Sequence, residues 1–153
     1  MLDFSRYPRF NTFKNKNIMA IDFGFKVTGT AFFCPGRDPF PYIGQKIIYK
    51  SHPETIKSLG QLIQDEAVDV LVLGIPYYID GSESETTKLI KNFGIILKNH
   101  YSHLDFFEQD ETLTTEAAKE RMKNSAQFNF KIDMAMIDCV AATIILEDFI
   151  RFE

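Results

Sequence analysis

Four acidic residues lie at the ends of apolar stretches or within one, where a carboxylate could take part in chemistry. Asp22 ends the run "NIMAID" just before "FG", and the pair Asp110–Glu111 follows the run "LDFFEQ". Asp138 lies in "MIDCVAATIILEDFI", on a helical stripe that is otherwise apolar. A carboxylate in such a stripe is costly unless it is paired, hydrogen-bonded or bound to a metal ion. These four residues are therefore candidate site residues.

The start of the last helix, predicted over residues 133–150, decides how Asp138 is interpreted. If the helix begins near Asp133, that residue fits the stabilising position at the helix end, where the dipole favours an acid. Asp138 then lies about one turn inside, where capping does not explain it. The stripe that contains it consists of Met134, Asp138, Ala142, Ile145 and Phe149.

Carboxylates gathered at one place would repel and raise one another's pKa, and divalent cations relieve that repulsion. Mg²⁺ and Mn²⁺ suit such a site because they prefer oxygen ligands and keep positions for water and phosphate. Two such ions can activate a water and stabilise the leaving oxygen at a phosphodiester. Successive strand residues point to opposite faces, so only Asp110 or Glu111 would face the site. From spacing alone, unrelated surface acids are the more common explanation.

The elements that would position these acids follow from hydrophobic periodicity. Three consecutive strands, "NIMAIDF", "VTGTAFFC" and "IGQKIIYK", predict an antiparallel meander. A helix between Pro53 and Glu66 precedes "VDVLVLGI", a strand buried on both faces. A helix starting near Ser82–Ser84, the strand "LDFFEQ", a helix opening at "TTEAAKERM" and the last helix follow. The order βββαβαβαα predicts an α/β, ribonuclease H-like fold with a mixed five-stranded sheet and helices on both faces.

The composition fits one domain with a sizeable core. The chain has 153 residues, of which 45% are hydrophobic and 15 are phenylalanine. We predict an extension over residues 1–16 and a single domain over residues 17–153. No apolar run is long enough to span a membrane, the first residues lack a signal peptide's apolar core, and Cys34 and Cys139 fit reduced thiols. We therefore expect a cytoplasmic protein without a membrane partner.

The net charge of −4 argues against a protein that coats nucleic acid by bulk charge. It does not argue against an acidic site in which bound cations attract phosphate, because those cations reverse the local sign of the charge.

Four segments, "IDFGFKVTGTAF", "LVLGIPYYIDGSESE", "DETLTTEAA" and "MIDCVAATIILEDFI", together resemble the YqgF/RuvX family in order and spacing over roughly residues 17–150. That family comprises proposed Holliday junction resolvases, also described as nucleases that mature the small-subunit ribosomal RNA precursor. It has a ribonuclease H-like fold and acts on phosphodiesters with divalent metal. The resemblance implies catalytic and metal-binding roles for Asp22, for Asp110 or Glu111, and for Asp138. It further implies two Mg²⁺ or Mn²⁺ ions as cofactors and structured RNA or branched DNA as partner, and leaves homodimer formation open.

The resemblance also implies substrate contacts at four positions. Gly24 matches a turn glycine whose bare backbone allows a close approach, and Lys26 matches a basic position that could touch phosphate. Thr114 and Thr115 match a threonine pair that could offer hydroxyls or a helix N-terminus to phosphate. Helix capping by either threonine and a solvated Lys26 are the ordinary alternatives, and Ser82 is a further candidate cap.

Three positions depart from the family pattern. Val27 and Thr112 stand where arginine is usual, and Tyr78 stands where asparagine is common. Neither valine nor threonine can replace the bidentate grip of arginine on phosphate. Lys26, Lys131 or the basic N-terminal segment would have to compensate.

Three function classes follow from these residues. A metal-dependent nuclease is the leading one. A cleavage-impaired module of the same fold that binds nucleic acid or protein is the alternative. An actin-like phosphate-binding ATPase, whose first hairpin also reads Asp-x-Gly, is the third, although that group needs two such domains.

Overall fold

A mixed sheet with helices on both faces forms the centre of the computed structural model, which describes residues 3–152. The central strand pairs antiparallel with the second strand and parallel with the fifth, which in turn pairs parallel with the sixth. The strands are β1 (Ile18–Asp22), β2 (Val27–Phe33), β3 (Tyr42–Ile43), β4 (Ile47–Ile48), β5 (Val70–Ile75) and β6 (Asp105–Asp110). Their order across the sheet is β3-β2-β1-β5-β6, and β4 also pairs with β2.

The predicted third strand is interrupted, so its prediction as one element was wrong. Ala31 pairs with Ile43, and Thr28 pairs with Ile47. Three positions separate the two partners on β2, whereas four separate those on the other strand. The additional residue lies within 44–46 and forms a β-bulge between β3 and β4.

The helices alternate with the strands as predicted, but the starts of the third, fourth and last helices differ from the prediction. The last helix begins at Ile137 rather than near Asp133, because residues 134–136 form a turn. The third helix is capped by Ser84, in a capping box with Thr87, and not by Ser82. The helices are α1 (Pro8–Thr12), α2 (His52–Asp65), α3 (Glu85–His100), α4 (Thr114–Lys123) and α5 (Ile137–Arg151), with 3₁₀ turns at Phe4–Arg6 and Ala126–Phe128.

The start of α4 corrects a second capping prediction. Its N-cap position is Leu113, in a left-handed conformation with φ 64°, and no side chain caps the helix. Thr114 is already the first helical residue, so neither Thr114 nor Thr115 is the cap.

Two layers of core lie on opposite faces of the sheet, because alternate residues of the buried strands point to opposite sides. Helices α2 and α3 cover the face that carries Met19, Ile21, Leu71 and Leu73. Helix α5 covers the other face, in which Ile18, Ala20, Val70 and Val72 contact Ala142, Ile145, Leu146 and Phe149. From the predicted stripe, Ala142, Ile145 and Phe149 are buried, whereas Met134 precedes α5 and is exposed.

The first residues of the chain close the end of the α5 layer that lies away from Asp138. Phe4 packs on Phe33, and Phe13 packs on Phe149 with ring centroids 5.2 Å apart. Arg9 donates a hydrogen bond to the carbonyl oxygen of Phe149 at 2.9 Å. These contacts tie residues 3–16 to the core, and the division of the chain at residue 16 stays a prediction. Within residues 3–152, no helix has the length and apolar character needed to cross a membrane.

Candidate active site

Asp22 occupies the end of the central strand, where β1 leaves the sheet. It is the last residue of β1 and lies opposite Gly29 of β2. Alternation from Ile18 and Ala20, which contact α5, places its side chain on the α5 face. The side chain is half-buried.

Glu111 follows β6 and is the member of the acidic pair that faces Asp22. Its backbone N–H donates to the carbonyl oxygen of Ile75 at 3.0 Å, which continues the pairing of β5 and β6 by one residue. The missing side chain of Gly74 leaves it room, since a Cβ on Gly74 would lie 3.0 Å from the carboxyl carbon of Glu111.

Asp110 points to the other face of the sheet and is exposed to solvent. Its carboxylate accepts hydrogen bonds from the backbone N–H of Thr112 at 2.8 Å and from the Thr112 hydroxyl at 2.6 Å. Asp110 therefore stabilises the turn after β6, and the structure does not bring it together with Asp22.

Asp138 reaches the same corner from the first turn of α5. A Cβ on Gly29 would overlap the carbonyl group of Asp138 and the amide nitrogen of Cys139, so the start of α5 lies directly on β2 beside Asp22. The expectation that Asp138 lies a turn inside the helix was wrong, because the helix begins only at Ile137. The helix dipole therefore favours the charged form of Asp138.

Burial raises the pKa of all three acids, and the charge of a neighbouring carboxylate adds to that rise at Asp22 and Glu111. Burial, followed by the charge of Asp22, raises the pKa of Glu111 to about 10. Burial also raises the pKa of Asp22 to about 7; a hydrogen bond with Glu111 opposes that rise, and the charge of Asp138 adds to it. At neutral pH these shifts favour the protonated form of Glu111 beside Asp22.

Asp138 differs from that pair because it has a cation nearby. Burial raises its pKa, and the positive charge of Lys46 lowers it. Lys46 was not among the residues singled out from the sequence.

The site offers carboxylate oxygens alone, the donor set that Mg²⁺ and Mn²⁺ prefer. The raised pKa values of Asp22 and Glu111 indicate that positive charge is favoured at this corner, and a divalent cation would supply it. In the described chain, residues 3–152, no three His, Cys, Asp or Glu side chains are grouped closely enough to hold one ion together. The arrangement is therefore a close pair, Asp22 and Glu111, with Asp138 as a neighbouring third carboxylate.

The four predicted substrate-contact residues surround this end of the sheet. Gly24 forms the turn after β1, where a Cβ would overlap the carbonyl oxygen of Val27. Lys26 is exposed in the same turn. Thr114 is buried, with its N–H donating to the Glu111 carbonyl oxygen at 3.0 Å, whereas Thr115 is exposed.

Sequence reasoning missed two residues that shape the site, Gly29 and Lys46. Gly29 carries a readable signal, since a glycine inside a strand often marks a close approach of another backbone or side chain. Gly29 also lies opposite Asp22 in the predicted hairpin. Lys46 carries no such signal, because its position depends on the bulge.

The mixed sheet with helices on both faces gives the chain a ribonuclease H-like fold, which confirms the predicted fold class. The chain belongs to the RuvX family, described as Holliday junction resolvase, whose model matches residues 16–151. This nuclease family is the one inferred from the four sequence segments, so that inference is confirmed.

Relatives with curated names cover almost the same length. A proposed pre-16S rRNA nuclease of Maridesulfovibrio salexigens is 31% identical over 135 residues, which span 87% of this chain and 96% of that protein. One from Lawsonia intracellularis, with the same name, is 34% identical over 132 residues, 86% of this chain and 91% of that protein.

Solved structures share the fold at low sequence identity. Thermus thermophilus RuvC in complex with a Holliday junction substrate has a TM-score of 0.55 at 6% identity, over 89% of this chain and 95% of that one. The yeast mitochondrial Holliday junction resolvase Ydc2 has a TM-score of 0.54 at 10% identity, over 91% of this chain and 79% of that one. These likenesses show the fold alone.

Proposed function

We propose that this chain is a metal-dependent nuclease that hydrolyses phosphodiester bonds of structured nucleic acid, with precursor 16S ribosomal RNA as the leading substrate. The observation that carries the proposal is the meeting of Asp22, Glu111 and Asp138 at one corner of the sheet. The names of the relatives near 30% identity favour RNA. A Holliday-junction-like DNA substrate is the second choice, suggested by the family description.

The three acids would hold Mg²⁺ or Mn²⁺ ions, which supply an activated water and charge stabilisation at the leaving oxygen. Glu111 must give up its proton to become a ligand, so metal binding would release that proton to solvent. The backbone fixes the remaining geometry: β1 carries Asp22, the extension of β6 carries Glu111, and the contact with Gly29 sets the position of Asp138.

The turn after β1 and the start of α4 would contact the substrate backbone. Gly24 leaves the β1–β2 turn free of a side chain, and the exposed ammonium of Lys26 can reach a phosphate from there. Thr115 exposes its hydroxyl beside the N-terminus of α4, next to the buried Thr114. The basic N-terminal segment does not fit this task, because Arg9 contacts Phe149, eleven residues and about 16 Å along α5 from Asp138.

The test is cleavage of a synthetic pre-16S RNA fragment and of a four-way DNA junction, each with Mg²⁺ and with Mn²⁺. Asp22→Asn should abolish metal-dependent cleavage and leave the fold intact, because the amide keeps the shape and loses the charge. Asp65→Asn removes the same charge at the exposed end of α2 and should cleave like the parent. An Asp22→Asn protein as active as the parent would refute the proposal.

A cleavage-impaired binding module remains the second candidate, and one observation favours it. Within residues 3–152 the carboxylates are not grouped closely enough for three of them to hold a single ion. Salt-sensitive RNA binding without cleavage in Mg²⁺ or Mn²⁺ would support the binding module, and metal-dependent product formation would reject it.

A further inference from the structure

The β-bulge between β3 and β4 reverses which side of the sheet the edge strand faces. Ile43 packs against the cluster formed by α4 and α5, whereas Ile47 packs against the cluster under α2 and α3. Residues four apart would share a face in a regular strand. The extra residue breaks that alternation, so Lys46, directly before Ile47, is directed to the α5 face.

The bulge is held in place by specific contacts with β2. The Thr30 hydroxyl donates to the carbonyl oxygen of Gln45 at 2.6 Å, and the Gly44 N–H donates to the Thr30 carbonyl oxygen at 2.8 Å. Gly44 is required there, because a Cβ would overlap the side chains of Thr30 and Phe32. Bulges of this kind often re-aim a side chain beside an active site.

This bulge lies next to the acidic corner. It faces the segment of β2 that contains Gly29, the residue that lies opposite Asp22 and contacts the backbone of Asp138. Lys46 is exposed to solvent. Among residues 3–152, no carboxylate lies within 4.0 Å of its ammonium group, so the cation is not committed to an ion pair.

We propose that Lys46 is a substrate-binding residue of this site and that the bulge places its ammonium where it contacts a backbone phosphate of the bound nucleic acid. The inference rests on the proposed function. A cluster of carboxylates repels a polyanion, and a cation at its edge holds one phosphate near the metal-binding acids. Lysine suits this contact because it acts as a point charge with three donors.

Binding of a fluorescent RNA hairpin with single-stranded flanks tests the proposal in the Asp22→Asn background, in which cleavage is removed. Loss of one phosphate contact lowers the slope of log K against log salt by about 0.7 to 0.9, which is about four- to sixfold in affinity at 0.15 M salt. Lys46→Ala and Lys46→Gln should show both effects, and Lys46→Arg should restore most of the affinity. Lys57→Ala, which removes the same charge from the exposed side of α2, should match the parent.

The salt slope separates a phosphate contact from a structural role, because a merely loosened fold would not remove one unit of salt dependence. If Lys46→Ala and Lys46→Gln bind with the same affinity and slope as Lys57→Ala, the inference is wrong. That outcome leaves the nuclease proposal standing if Asp22→Asn has lost cleavage. Conversely, an active Asp22→Asn protein overturns the nuclease proposal whatever Lys46 does.

Discussion

Two of the acids on helix α5, Glu147 and Asp138, lie in different electrostatic surroundings. Glu147 is only 8% exposed and is gripped by both terminal nitrogens of Arg121 at 2.6 Å. Asp138, nine residues earlier, shares its corner with Asp22 and Glu111, where the raised pKa values of those two acids favour a proton on the pair. In the bidentate pair, the charge of Glu147 is already compensated by Arg121, whereas a proton on a pair of carboxyl groups can be replaced by a metal ion. This difference in compensation distinguishes Glu147, a structural carboxylate, from Asp138, a candidate catalytic carboxylate on the same helix.

The largest effect should come from removing the acid that holds the proton. Glu111→Gln keeps the hydrogen bond to Asp22 but removes a metal ligand, so cleavage should fall by about 100-fold or more. Asp110→Asn is the matched control, because Asp110 faces the other side of the sheet and its carboxylate accepts hydrogen bonds from Thr112. Single-turnover cleavage of the pre-16S fragment measures both. Equal losses in the two variants would contradict the assignment of Glu111.

Adding a methyl group at Gly29, where β2 and α5 touch through backbone atoms, should have the next largest effect. Gly29→Ala would push the backbone of Asp138 away from Asp22, and overpacking of this kind costs about 1 to 3 kcal/mol. Thermal unfolding measures the loss, and cleavage should fall with it in the surviving folded protein.

Gly94→Ala provides the comparison for that variant, because a Cβ there meets only the tip of Leu73 and the ring of Phe106 on the opposite layer. It should retain cleavage. If Gly29→Ala proves as stable and as active as the parent, the close packing of α5 on β2 does not set the site.

Removing the ion pair between Arg121 and Glu147 should cause a smaller loss, which affects stability and leaves cleavage unchanged. Arg121→Ala leaves Glu147 buried without its cation, which should cost about 2 kcal/mol after allowing for the 40% exposure of the arginine side chain. Denaturant unfolding measures this, and the double variant Arg121→Met, Glu147→Leu should recover most of it. Metal-dependent cleavage per folded molecule should stay at the parent's level, and a specific loss of cleavage would place this pair in the functional site.

The last prediction concerns pH. Because the pKa of Glu111 is raised to about 10 in the folded state, the folded protein binds a proton that the unfolded chain has lost above pH 4.5. The contribution of Glu111 to the stability of the metal-free protein is therefore fully present below about pH 4.5 and is lost as pH rises toward 10, by about 1.4 kcal/mol per pH unit between those values. Unfolding curves in a chelator measure the slope.

Two changes should flatten that slope. Glu111→Gln cannot ionise, and Mg²⁺ or Mn²⁺ would compensate the ionised acid, so either should raise the unfolding temperature more at pH 9 than at pH 6. A parent protein whose stability is level across this range without metal would show that the proton is not held as described.

Hydrophobic periodicity was sufficient to predict the sheet and its two layers, because β1 and β5 are almost continuous apolar runs whose alternate residues must be covered on both faces. The same alternation showed that only one of Asp110 and Glu111 could face Asp22. It could not show which one, since that choice depends on where β6 ends against Ile75.

Features set by local backbone geometry could not be predicted in this way. The start of α5 was misplaced because residues 134–136 adopt a turn whose composition also suits a helix. The bulge at residues 44–46 arises from hydrogen bonds to Thr30, which no pattern of apolar residues encodes. Lys46 was therefore overlooked, whereas the acids at strand ends were found.

The contact of Gly29 with the first turn of α5 has a consequence for protein engineering. The two elements touch there through main-chain atoms, so the distance between Asp22 and Asp138 does not depend on the size of a neighbouring side chain. The phenylalanine-rich interior at the far end of the helix could thus be redesigned for heat tolerance, and the spacing of the two acids should survive the exchange.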